Sequence, residues 1–192
     1  TLTSYVTQGS AEPEDYAANA TAKSLLLQEV LGQDLGGVLD VEAALRSLMA
    51  TDGDEVGRFS DANKQGFGNY ANGIGQALAV TALDRTGGGA PTDAVEFLLS
   101  QQCSDGSFRL YYLGYVTSFD PFETVPDLTC TDVADGDVDA TAFALDALLA
   151  VPSSPAISTA VGDAVAFLLG AQAASGGFEG TGAVNANTTG LA

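Results

Sequence analysis

The side chains able to do chemistry in this sequence are mostly carboxylates, and they cluster. Asp120, Glu123, Asp127, Asp132, Asp135, Asp137 and Asp139 crowd one stretch, and Asp52-Gly-Asp54-Glu55 forms a second, shorter run. Hard cations take clustered oxygen ligands, so a calcium site is one expectation, with Asp132, Asp135 and Asp137 as its ligands. A solvated acidic face is the other, and neither run has full EF-hand spacing. Cys103 and Cys130 are the only thiols. Neither lies in a Cys-x-x-Cys motif, and a catalytic thiolate needs an electropositive surrounding that Arg109 alone is near enough in sequence to provide. A disulfide is therefore expected, worth about 3–4 kcal/mol in loop-closure entropy and pointing to an oxidising compartment. The chain has no His, which removes the usual zinc ligand and general base and excludes Ser-His-Asp and Cys-His chemistry.

The elements that position these groups must come from a chain of 192 residues with 46% hydrophobic and 16% charged residues. That composition builds a core, unlike an acidic disordered tail. Lys plus Arg number 6 against 25 Asp plus Glu, a formal charge of −19. Nucleic acid is excluded as a default partner, because phosphate binding needs clustered cations; anionic membranes are disfavoured likewise. No basic residue follows Arg109, while carboxylates continue to Glu179. No stretch approaches the ~20 apolar residues that span a bilayer, so no transmembrane segment is expected.

Internal repeats organise the chain. Ala17-Ala-Asn19-Ala-Thr-Ala, Tyr70-Ala-Asn72-Gly-Ile-Gly, Asp137-Val-Asp139-Ala-Thr-Ala and Asn185-Ala-Asn187-Thr-Thr-Gly open successive copies. Asn19, Asn72, Asp139 and Asn187 share the third position, where Asn or Asp is expected to cap a helix. A Gly/Pro/Ser break follows in each complete copy, and then a second helix expected to start at Asp40, Asp93 or Asp163. Val41/Ala44/Leu45, Val95/Leu98/Leu99 and Val165/Leu168/Leu169 give these second helices one apolar face. Each ends in Gly-x-Phe. Gln102, Gly106 and Phe108, and Gln172, Gly176 and Phe178, show Gln-x3-Gly-x-Phe in full, while the first copy has Leu48 where Gln is expected. The repeats cover about 16–59, 70–108 and 137–178, with an insertion at 109–136 and a fourth copy opening at 185–192. Two helices in a period of about 50 residues imply a solenoid or a closed ring of hairpins. Asn19-Ala-Thr21 and Asn187-Thr-Thr189 match the N-glycosylation pattern, but they coincide with the caps.

Gln-x3-Gly-x-Phe closing a helical hairpin resembles the repeat of the terpenoid cyclase and protein prenyltransferase superfamily, across nearly the whole chain. The texture is most similar to secreted bacterial surface proteins with "prenyltransferase and squalene oxidase" repeats. The resemblance implies an all-α fold of repeated helical hairpins forming part of an α/α toroid. A full ring in this family takes about five or six hairpins. One domain over 1–192 is expected, as a fragment of a longer protein or as an arc completed by self-association. Prenyltransferase zinc chemistry does not carry over, for want of His, nor does an internal thioester, for want of Gly-Cys-Gly-Glu-Gln. Class II cyclases use Asp-x-Asp-Asp-Thr-Ala, whose middle Asp protonates substrate. Asp139 matches that position, with Ala140 replacing the last Asp. The leading expectation is a non-catalytic secreted or cell-surface module that needs no cofactor and binds a protein partner or small apolar ligand. The alternatives are a cyclase-like enzyme with Asp139 as general acid, and a structural scaffold.

Overall fold

A computed structural model describes residues 2–8, 15–34, 37, 39–62, 69–112, 128–180 and 182–192. Among these the chain is mostly helical: α1 (Leu2–Val6), α2 (Ala18–Leu31), α3 (Val41–Ser47), α4 (Gly73–Asp84), α5 (Thr92–Ser100), α6 (Val138–Ala150), α7 (Pro155–Ala171) and α8 (Ala186–Leu191). Two short antiparallel ribbons accompany them. β1 (Phe108–Arg109) pairs with β2 (Gly136–Asp137), Phe108 opposite Asp137 and Arg109 opposite Gly136. β3 (Glu179–Gly180) pairs with β4 (Ala183–Val184), Glu179 opposite Val184.

Composition sorts the helices into two sets. α2, α4 and α6 are rich in Ala and Gly and lie side by side, with α4 in the middle and α8 beside α6. α4 is buried on nearly every side from Gly75 to Leu83, as a helix without a polar face must be. Small residues let this row close up: a Cβ on Gly75 would overlap the Asn19 side chain of α2. Outside the row, α3 lies on α2, α5 on α4 and α7 on α6. These outer helices are amphipathic; α7 buries Ile157, Ala160, Ala164 and Leu168 along one stripe. A single apolar cluster, including Leu25, Leu45, Phe59, Leu83, Leu98, Phe108 and Leu148, runs through all three hairpins. Each such side chain contributes about 1.5–3 kcal/mol by leaving water.

The helix starts correct the expected caps. Asn72 does cap α4, accepting from Gly75 N–H at 3.0 Å. Asp139 and Asn187 do not cap: Asp137 caps α6 through Ala140 N–H at 2.7 Å, and Asn185 caps α8 through Thr188 N–H at 2.9 Å. Asn19 does not cap either. Ala17 precedes α2 without a side-chain bond, and Asp61 supplies the acceptor, taking Ala18 N–H at 2.7 Å. The structural equivalents of Asn72 are thus Ala17, Asp137 and Asn185, two residues earlier than the motif alignment places them. Copies three and four offer Asp or Asn at both candidate positions, and the earlier one captures the helix. The second outer helix has Asp93 in its first turn, as its charge favours. In the third, Asp163 lies mid-helix. Ser154 caps eight residues of helix before it, with Pro155 at the first position, a start signal that resembles a break.

A recurring joint links the hairpins. Phe59 N–H donates to Gln76 Oε1 (3.0 Å), Phe108 N–H to Thr141 Oγ1 (2.8 Å) and Phe178 N–H to Thr189 Oγ1 (2.9 Å). Each acceptor is the fourth residue of the next row helix. Every Gly-x-Phe turn is therefore bonded forward, onto the following copy. Gln76 is buried and fully used, its Nε2 donating to the carbonyls of Gly57 (2.8 Å) and Ala94 (3.1 Å). In the first copy Met49, not Leu48, bridges Phe59 as Gln102 bridges Phe108. The residues inserted in that turn shift the register by one.

Candidate binding site at the base of the insertion

Two of the chain's few cations, Arg58 and Arg109, are buried. A buried guanidinium is costly unless its donors are met. Arg58 pairs with Glu55, and Arg109 directs Nε and one terminal nitrogen at Gln101 Oε1, at 2.9 and 2.7 Å. Both also approach the ring of Tyr112, at 5.2 Å for Arg58 and 5.9 Å for Arg109. Desolvated cation–π contacts reach about 2 kcal/mol. Phe97 meets the same ring edge-on at 5.4 Å. Tyr112 is 2% exposed and its hydroxyl has no hydrogen-bond partner among the described residues. Burial pushes its phenol well above the ordinary tyrosine value, with the two arginines pulling the other way, so the ring acts as a neutral hub.

This cluster stands where the insertion leaves and returns. On the leaving side, Leu110 O accepts Gly73 N–H at 2.8 Å, tying the chain to the start of α4. On the returning side, Gln101 Nε2 donates to Leu128 O at 2.9 Å and Ser100 Oγ to the same carbonyl at 3.3 Å. Cys103 and Cys130 stand at disulfide distance with Cα atoms 4.8 Å apart. The β1–β2 ribbon then leads into α6. A shallow groove opens beside these clamps, lined by Asp54, Asp93 and Glu96 together with Phe97, Ser100, Leu128 and Thr129. Its lining is part acidic and part apolar.

The residues singled out in the sequence are dispersed over this frame. Asp132 caps its own short turn through Ala134 N–H at 2.9 Å, and Asp137 caps α6. Among the described residues no group of three His, Cys, Asp or Glu side chains is spaced to hold a metal ion, so Asp132, Asp135 and Asp137 are not assembled as a ligand set. Asp120, Glu123 and Asp127 lie outside the described residues. Asp139 sits in the first turn of α6 with Oδ1 buried and unpartnered, and Asn19 Oδ1 is likewise buried and unpartnered. Gln102 donates to Gly106 O (3.1 Å) and Gln172 to Gly176 O (2.9 Å), as turn closers. Sequence reading missed Arg58, Gln76, Gln101 and Asp61. The one local signal was an Arg beside a core Phe in Gly57-Arg58-Phe59.

Comparison with protein-family models finds no match, and comparison with curated proteins finds none either.

Proposed function

We propose that this chain is a non-catalytic binding module of secreted or cell-surface type. In this reading the hairpins form part of an α/α toroid, completed by further repeats or by self-association. The observation that carries it is the insertion base, where a cysteine pair, a buried Gln101–Arg109 bond and the Tyr112 hub are all committed to holding one segment. The groove beside it, with Asp54, Asp93 and Glu96, suits a protein partner that presents a basic face. The absence of Lys and Arg beyond residue 109 supports the same polarity. Titration of the chain with a short oligolysine peptide tests this. Binding is expected to weaken with salt and to weaken about tenfold or more when Asp54→Asn, Asp93→Asn and Glu96→Gln are combined. Equal affinity of the triple variant overturns the assignment of the groove.

One observation favours a second reading. Asp139 matches the general-acid position of the cyclase motif, and its buried Oδ1 has no partner. Incubation with polyprenyl substrates discriminates between the two. Turnover that Asp139→Asn abolishes replaces the binding module with an isoprenoid-handling enzyme.

A further inference from the structure

The first two Gly-x-Phe turns each seat an outer helix of the following copy. Gly57 and Gly106 have positive φ, and each lies so close to the next outer helix that a Cβ would overlap a backbone carbonyl, of Asp93 in α5 and of Asp163 in α7. Gln102 adds a bond across the joint, Nε2 to Ala160 O of α7 at 2.9 Å. The third turn is built the same way. Gly176 has φ +84°, Gln172 closes the turn, and α8 already fills the row position, with Thr189 receiving Phe178 N–H. Yet a Cβ on Gly176 would meet open space, and Gln172 has no second acceptor among the described residues. Beside this turn runs a groove lined by Leu145, Val165, Leu168, Leu169 and Phe178. Leu169 is 70% exposed and Val165 40%, whereas Val95, the repeat equivalent of Val165, is 9%.

We propose that this edge is the docking surface for one amphipathic α-helix of the outer-helix type, patterned as Asp-Ala-Val-x-Phe-Leu-Leu. Its backbone would lie on Gly176, one of its carbonyls would accept from Gln172 Nε2, and its apolar stripe would cover Leu169 and Val165. Continuity with the two joints already formed in the chain identifies the occupant. A second copy of the chain fits less well, because its α2 would need the place that α8 holds. The inference rests on the reading above that further repeats complete the array, names the element they would supply at this edge, and is independent of the groove at the insertion base.

The test extends the full chain by a Gly/Ser linker and an appended helix with the sequence of Ser154–Ala171. Seating the helix is expected to raise Tm by about 5 °C or more, and a scrambled helix of the same composition to leave it unchanged. Leu169→Asp at the native position is expected to abolish the rise, while changing the unextended chain little because that side chain is exposed. Equal Tm for native and scrambled extensions overturns the proposal, as does a rise that survives Leu169→Asp. Sedimentation of the unextended chain supplies the third outcome: a dimer that Leu169→Asp dissociates gives the surface to a second copy and overturns the single-helix assignment.

Discussion

Replacing Gln76 by Met tests how the first two hairpins are held together. Met matches Gln in length and shape, so the row of helices keeps its volume and only polarity is lost. Three buried bonds disappear: Phe59 N–H to Oε1, and Nε2 to the carbonyls of Gly57 and Ala94. Ala94 lies within α5, where its carbonyl keeps a helical partner. Phe59 N–H and Gly57 O lose their side-chain partner in a site where Gln76 is 1% exposed. Each orphaned buried group costs about 1–3 kcal/mol, so a loss of about 3 kcal/mol is expected, from a total that for domains is about 5–15 kcal/mol. For a chain of this size that lowers Tm by about 6–12 °C. Urea denaturation followed by circular dichroism should show a lower midpoint at unchanged slope. Gln76→Glu sharpens the test. Its carboxylate still accepts from Phe59 but faces two carbonyl oxygens, so the variant should be destabilised at neutral pH and recover as acid restores a donor. A Met variant within about 1 kcal/mol of wild type would show that the joint does not depend on these bonds.

Other perturbations read other parts of the structure. Replacing Cys103 and Cys130 together by Ala opens a loop of 27 residues and should cost about 3.5 kcal/mol, measured by denaturant midpoint. Tyr112→Phe removes a hydroxyl with no partner among the described residues, so stability should hold to within about 1 kcal/mol or rise slightly at neutral pH. The same phenol gives the alkaline limb its sign. Its folded value is raised, so its contribution is complete below the unfolded value of about 10 and is lost as pH climbs beyond it. Tyr112→Phe should make that loss shallower in melts between neutral and strongly alkaline pH. Asp137→Ala should cost about 1 kcal/mol as a lost cap and Asp139→Asn less, in parallel melts; the reverse order would return the cap to Asp139.

The legible part of this fold is the part that repeats. Gly-x-Phe turns, amphipathic second helices and Ala/Gly-rich first helices follow from local patterns that recur, and each copy carries them, with the third outer helix starting eight residues before Asp163 and the first turn shifted by one residue. Helix starts were less legible because they depend on competition between neighbours. Asp137 and Asp139 can both cap, and sequence spacing does not say which wins; the Thr141 bond to the preceding turn holds α6 in the register that selects Asp137. At Ala17 the acceptor arrives from Asp61, far along the chain, so no window around α2 contains it. Ser154-Pro155 looks like a break until one asks which backbone donors a helix start leaves free. The insertion base was legible at its cysteines and in the bounds of the insertion. Arg58 comes from the first copy to reach the Tyr112 ring, against which Phe97 of the second copy and Arg109 of the insertion also stand, and an Arg in an acidic chain reads locally as a surface charge. Gln76 was hidden because it stands where the other copies carry Thr.

Each Gly-x-Phe turn is bonded forward onto the next hairpin through its Phe N–H. Amide hydrogen exchange of Phe59, Phe108 and Phe178, resolved residue by residue by NMR, tests it directly. Phe59 and Phe108 are expected among the slowest amides, opening only with the core helices. Thr141→Val should speed exchange at Phe108 while leaving Phe59 slow. Fast exchange at Phe59 and Phe108 while α4 and α6 stay protected would mean that the following hairpin does not hold these amides.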